Sequence, residues 1–91
     1  MAEVQHETVF YSGRVQGVGF RYQTLQLAKG FEVSGYVCNL PDGRVQLEVE
    51  GESEEVEGFL EAVGSQMEGY IRKTERSSHR RPAQFKGFSI R

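Results

Sequence analysis

The chain changes from a strand pattern to a helix pattern at Gly13-Arg14-Val15-Gln16-Gly17-Val18-Gly19-Phe20-Arg21. Its three glycines allow backbone conformations that side chains would block, and Arg21 stands where the helical pattern begins. Inward-facing peptide N–H groups, a helix N-terminus and a guanidinium group together suit a small tetrahedral anion. The run therefore predicts an anion-binding loop, with a tight turn beside a solvated arginine as the alternative.

The segments on both sides of this loop fit that interpretation. Before it, residues Thr8 to Ser12 contain the β-branched and aromatic run Val9-Phe10-Tyr11, which predicts a short strand. After it, Tyr22 to Lys29 contains few helix breakers and Gly30 follows, which predicts a first helix. Its expected buried positions are Leu25, Leu27 and Ala28.

A hairpin follows the first helix. Gly35 to Leu40 reads as a second strand that stops at the turn Pro41-Asp42-Gly43. Arg44 to Glu50 then alternates apolar and polar residues without a break, which predicts a third strand. The apolar set should face a core and the polar set should face water: Val45, Leu47 and Val49 against Gln46, Glu48 and Glu50.

The last third begins with a second amphipathic helix, for which Ser53 is the expected N-cap. Its apolar residues fall at helical spacing and should be core: Val56, Phe59, Leu60, Val63 and Met67. Residues 72–82 are polar and basic, and Ser77 to Pro82 reads as a loop or a frayed edge. Phe88 and Ile90 mark a short final strand.

This order of elements predicts an α+β fold. A strand-helix-strand unit, a hairpin and a second helix make the split βαβ, ferredoxin-like sandwich, with both helices on one face of an antiparallel sheet. The pattern is βαββαβ plus a short C-terminal strand. At 91 residues, the expectation is a single domain over residues 1–91.

Composition narrows the class of protein. The single cysteine, Cys38, excludes a disulfide within one chain, and its apolar strand predicts a buried, inert thiol. No signal peptide or apolar run of about 20 residues is visible, so the expectation is a cytoplasmic, monomeric protein without membrane contact. The charge is uneven, with eight glutamates between Glu48 and Glu68 and a basic segment from Arg72 to Arg91. A solvated face is the favoured interpretation of that segment, and a nucleic-acid surface is the alternative.

The sequence gives little support for a metal site, a cysteine nucleophile or a nucleotide-binding motif. His6 and His79 lack metal-ligand spacing and are expected at the surface, and Cys38 has no histidine nearby in sequence. A dinucleotide fingerprint that starts at Gly17 would need a glycine at Tyr22, and no Gly-Lys-Ser/Thr follows the loop as in ATP-binding P-loops.

Two runs, in the right order and at the right separation, resemble the signatures of the acylphosphatase family. Gly13 to Arg21 resembles the first signature, and Gly35-Tyr36-Val37-Cys38-Asn39-Leu40-Pro41-Asp42-Gly43-Arg44-Val45 resembles the second. The similarity covers nearly the whole chain, including its length and an ending Phe-x-Gly-Phe-x-Ile. The chain departs from the family at residues 72–81, which are more polar and basic than the usual fourth strand.

The resemblance implies an enzyme that hydrolyses the carboxyl–phosphate bond of small acyl phosphates. It implies that Arg21 binds the phosphoryl group of the substrate and that Asn39 holds the attacking water. A free phosphate or sulfate ion would bind in the same loop. No metal and no cofactor are expected. The main-chain phosphate-binding residues would be Val15, Gln16, Gly17, Val18, Gly19, Phe20 and Arg21.

Two alternatives stay open at this point. The same domain serves without catalysis in larger proteins that handle carbamoyl phosphate, so a non-catalytic anion-binding module is the first. An RNA-binding module shares this element order and is the second. RNA binding needs exposed aromatic residues on the central strands, where this chain offers Gln46, Glu48 and Glu50, so no nucleic-acid partner is expected.

Overall fold

The computed structural model describes residues 2–91 and contains five strands and two helices. The strands are β1 (Glu3–Gly13), β2 (Val33–Asn39), β3 (Val45–Gly51), β4 (Ile71–Pro82) and β5 (Phe88–Ile90), and the helices are α1 (Phe20–Ala28) and α2 (Ser53–Gln66). Every predicted element is present. No helix within residues 2–91 is long and apolar enough to cross a membrane.

The strands form one sheet in the order β4-β1-β3-β2-β5. The four long strands pair antiparallel, whereas β5 pairs parallel to β2, with Val37 opposite Ile90. The predicted ferredoxin-like α+β class is confirmed, but the sheet is mixed rather than purely antiparallel. The reason is the crossover after β4, which carries the chain from one edge of the sheet to the other before β5 begins.

One face of the sheet carries both helices and the apolar core. The predicted alternation of β3 is confirmed on this face, and all five predicted apolar positions of the second helix are buried. The α1 prediction needs correction, because Leu25 and Leu27 are only half-buried. The helix starts at Phe20 rather than Tyr22, so its buried stripe is Phe20, Thr24 and Ala28.

The opposite face is also covered, which the sequence did not predict. Residues 83–87, here called the crossing segment, pass over it between β4 and β5. The main-chain N–H groups of Gln84 and Phe85 both donate to Glu50 Oε1, each at 2.6 Å. Glu50 is therefore buried at 2% exposure and does not face water, while Gln46 and Glu48 are half-buried.

The surface assignment of His6 is wrong for the same reason. Its ring is 2% exposed, lies 5.9 Å from the Phe85 ring in a stacked arrangement, and has Nε2 2.9 Å from Glu48 Oε1. His79 is exposed, as predicted. Cys38 is half-buried rather than buried. It lies near the end of β2 on the face of the sheet that the helices do not cover, here called the second face.

The predicted loop at Ser77 to Pro82 is wrong, because β4 continues to Pro82 and pairs with β1 along nearly its whole length. An edge strand needs only one row of backbone hydrogen bonds, so a polar sequence with exposed side chains is compatible with it. Pro82 terminates the strand, where a missing N–H costs least. In α2 the N-cap is Glu52, and Ser53 is the first helical residue.

Candidate active site

The glycine loop joins β1 to α1 and is held at both ends by buried apolar side chains. Val15 and Phe20 are 1% and 2% exposed, and the Phe20 ring lies 5.1 Å from that of Tyr11. Between these anchors, Gly17 and Gly19 are exposed. The core thus fixes the two ends of the loop and leaves its middle open to a ligand.

The two central glycines are required by backbone conformation rather than by space. Gly17 has φ +77° and Gly19 has φ +80°, and a Cβ added at either would meet nothing within 4 Å. These positive φ values are the left-handed region that L side chains rarely adopt. Gly19 is also the N-cap of α1, with no side-chain cap and no acidic residue in the first turn. The first N–H groups of α1 therefore stay available to an anion.

Gln16 ties this loop to the β2–β3 turn. Its side-chain Nε2 donates to the carbonyl oxygens of Leu40, at 2.8 Å, and Arg44, at 2.9 Å. These two residues bracket the turn that directly follows Asn39. The loop and the end of β2 are thus held side by side, so Gln16 positions the two halves of the site through its side chain.

The site is an open pocket of about 240 Å³ where the loop, the start of α1 and the end of β2 meet. Its lining residues are Val15, Gly17, Gly19, Phe20, Arg21, Tyr22, Asn39 and Ile90. The fold therefore brings together Arg21 and Asn39, which are 18 positions apart in the sequence. Gln16 and Val18 belong to the predicted loop but do not line the pocket.

The guanidinium of Arg21 and the amide of Asn39 have unused hydrogen-bonding capacity. Asn39 Oδ1 is buried and has no hydrogen-bond partner within residues 2–91. Arg21 is exposed and forms no ion pair with an acidic residue of that same range. A buried amide oxygen without a partner can accept from a small ligand, and a free guanidinium can bind an anion in a bidentate manner.

The model of the family described as Acylphosphatase matches residues 7–90. The chain belongs to the acylphosphatase family. The Acylphosphatase of Methanospirillum hungatei is 36% identical over 83 residues, which cover 91% of this chain and 89% of that protein. The Acylphosphatase of Archaeoglobus fulgidus is 51% identical over 57 residues, covering 63% of this chain and 64% of that relative.

Solved structures of acylphosphatases share the fold. The acylphosphatase from Bacillus subtilis superimposes with a TM-score of 0.85 at 31% identity, covering 94% of this chain and 97% of that one. HypF from T. kodakarensis superimposes with a TM-score of 0.81 at 27% identity, but the match covers 96% of this chain and only 12% of HypF. The predicted family and fold are confirmed.

The chemistry of the acylphosphatase pocket is confined to a few groups. None of its lining residues within the described range is Asp, Glu or His, so the pocket wall offers no carboxylate or imidazole base. Residues 2–91 contain no cluster of three or more His, Cys, Asp and Glu side chains that could hold a metal ion. What the pocket does offer is main-chain N–H groups, the guanidinium of Arg21, the amide of Asn39 and the phenol of Tyr22.

The sequence did not predict two of the lining residues, Tyr22 and Ile90, as part of the site. Tyr22 follows Arg21 directly, and helical spacing alone does not show that it points toward the loop. Ile90 reaches the pocket because β5 adds beside β2, with Ile90 opposite Val37. No local signal predicts which strand a three-residue strand pairs with, so only the folded chain reveals this wall.

Proposed function

We propose that this member of the acylphosphatase family hydrolyses small acyl phosphates to a carboxylate and inorganic phosphate, with Arg21 and Asn39 as its catalytic residues. The observation that carries the proposal is the pocket in which Arg21 and Asn39 meet beside the uncapped start of α1. One group suits an anion and the other suits a water molecule.

The phosphoryl group would bind to the N–H groups of Val15 to Arg21 and to the guanidinium of Arg21. Transfer of a phosphoryl group spreads negative charge over its equatorial oxygens, and pre-positioned donors stabilise that charge. The positive φ of Gly17 and Gly19 supports this arrangement, because it turns the local backbone into the concave form that anions prefer.

Asn39 would hold the attacking water through its unpartnered Oδ1. Water oxygen forms a bond to phosphorus while the bond from phosphorus to the acyl oxygen breaks, and its proton passes to a phosphoryl oxygen. The leaving group departs as a carboxylate, which is stable without protonation. A pocket wall without a carboxylate or imidazole side chain is adequate for such a reaction, because most of the work is positioning.

Hydrolysis of benzoyl phosphate in the presence of EDTA tests this assignment. We expect the wild type to turn over, Arg21→Gln to lose both substrate binding and turnover, and Asn39→Ala to lose about 10²–10³ in kcat with a smaller change in KM. Arg14→Gln is the matched control, since Arg14 is an exposed arginine of the same loop that does not line the pocket. Activity that survives both site substitutions would overturn the residue assignment.

A non-catalytic anion-binding module is the second candidate, because the match to 12% of HypF shows that a domain of this fold also occurs within a larger protein. Phosphate binding that Arg21→Gln abolishes, without phosphate release from any acyl phosphate, would support the module instead. RNA binding, the weakest alternative, would require salt-sensitive binding to single strands.

The same proposal treats residues 1–91 as one domain that acts as a monomer. A single match of the family model over residues 7–90 supports the one-domain part of this proposal. Light scattering and assays over a range of protein concentrations test the monomeric state. We expect a monomeric mass and a specific activity that does not change with protein concentration. The cytoplasmic location stays a prediction from the sequence.

A further inference from the structure

We propose that Tyr22 and Ile90 form a wall for the acyl part of the substrate, and that the pocket therefore favours aromatic acyl phosphates over acetyl phosphate. This inference rests on the proposed function and adds the class of acyl group to it. The loop and Arg21 would hold the phosphoryl end, and this wall would contact the other end.

Exposure sets these two side chains apart from the other large apolar residues. Three of them in the described chain are markedly exposed, namely Tyr22 at 59%, Tyr70 at 39% and Ile90 at 38%. Two of the three, Tyr22 and Ile90, line the same pocket. Exposed apolar side chains that gather at a concave site with convergent polar groups are the usual signature of ligand contact.

The backbone fixes the position of Ile90 in the sheet, and Tyr22 lies in the first turn of α1. Ile90 lies opposite Val37 in the parallel pairing of β5 and β2, and the N–H of Arg91 donates to the Val37 carbonyl oxygen at 2.9 Å. Asn39 is two residues beyond Val37 and so lies on the same face of the sheet. Ile90 is thus held next to the amide assigned to the water, and Tyr22 directly follows the phosphoryl-binding Arg21.

The size of the pocket leaves room for an acyl group. At roughly 30 Å³ per water molecule, its 240 Å³ corresponds to about eight water volumes. A phosphoryl group fills only part of that space. Tyr22 and Ile90 are among the residues that line this pocket, and an aryl ring would contact them more extensively than a methyl group could.

The test is the ratio of kcat/KM for benzoyl phosphate to kcat/KM for acetyl phosphate. An offset or edge-to-face contact between the aryl group and Tyr22 predicts that Tyr22→Ser lowers this ratio about three- to tenfold. Tyr22→Phe keeps the ring and should keep the ratio, and Ile90→Ala should lower it less than Tyr22→Ser does. Tyr70→Ser is the matched control, because Tyr70 is exposed but lies outside the pocket.

A binding measurement separates this inference from the proposed function. Calorimetric titration with benzoylphosphonate and acetylphosphonate, which resist hydrolysis, should show the same loss of selectivity in Tyr22→Ser. Hydrolysis of both substrates by the wild type with an unchanged ratio in Tyr22→Ser would overturn the acyl wall alone. Absence of hydrolysis would overturn the proposed function, and the phosphonates would then still decide on the wall.

Discussion

On the helix-covered face of the sheet, β3 buries Val45, Leu47 and Val49 in an apolar core, whereas on the opposite face the same strand buries Glu50 beneath the crossing segment. The first face is closed by α2 with Phe59, which is fully buried. The second face is covered by the five residues of the crossing segment, two of whose main-chain N–H groups donate to the carboxylate of Glu50.

The two faces of the sheet therefore depend on different forces. On the helix side, stability grows with the apolar area removed from water. On the second side, each polar atom needs a partner, and not all have one: Glu50 Oε2 lies 3.5 Å from His6 Nδ1 and 3.9 Å from Arg81 Nε, beyond good hydrogen-bond distance. The polar face nevertheless matters to the site, because the crossing segment leads into β5 and so places Ile90.

Truncating Phe59 should produce the largest loss, because it removes the centre of the apolar face. Its ring lies 5.5 Å from Phe88 and 6.0 Å from Phe31. We expect Phe59→Ala to lower the free energy of unfolding by about 3–5 kcal/mol, measured by urea denaturation. Tyr70→Ala, at an exposed tyrosine, should change it by less than about 1 kcal/mol. Similar losses in the two variants would contradict the apolar account of this face.

An intermediate loss should follow from Glu50→Ala, because the N–H groups of Gln84 and Phe85 lose their shared acceptor. We expect about 1–3 kcal/mol in urea denaturation, and faster hydrogen exchange at those two amides. Glu50→Gln keeps an acceptor oxygen and should lose less. Glu61→Ala, at an exposed glutamate, is the control. Unchanged exchange at both amides in Glu50→Ala would show that the carboxylate does not hold the crossing segment.

The smallest effect concerns Tyr36, whose hydroxyl donates to Glu48 Oε2 on the second face. Burial, reinforced by that hydrogen bond and the negative charge of Glu48, raises the pKa of Tyr36 to about 12. Because the folded-state pKa lies above the unfolded value of about 10, this contribution is complete below pH 10 and is lost as the pH rises towards 12.

Urea denaturation of the wild type and Tyr36→Phe between pH 9 and about pH 11.5 measures this contribution. We expect the stability difference between them to shrink by about 1 kcal/mol or less, since solvent screens the partly exposed pair. A stability difference that stays constant over this pH range would show that the contact between Tyr36 and Glu48 does not stabilise the second face.

Sequence patterns predicted the helix-covered face well. The alternation of β3 and the helical spacing from Val56 to Met67 reflect simple periods, and an apolar side chain has one favourable place to go. Arg21 and Asn39 were predicted as site residues from two short local motifs that resemble a family, and the structure places both at one pocket. The prediction of an anion-binding loop depended only on the glycines and the residues next to them.

Only the folded chain shows that His6 and Glu50 are buried, that β4 extends to Pro82, and that Tyr22 and Ile90 line the pocket. A strand's period shows which side chains share a face, but whether that face meets water depends on segments distant in sequence. The crossing segment brings Gln84 to Glu50 and Phe85 to His6, and the pairing of β5 with β2 brings Ile90 to the pocket that Asn39 lines. Such contacts arise when the whole chain closes, so no local pattern carries them.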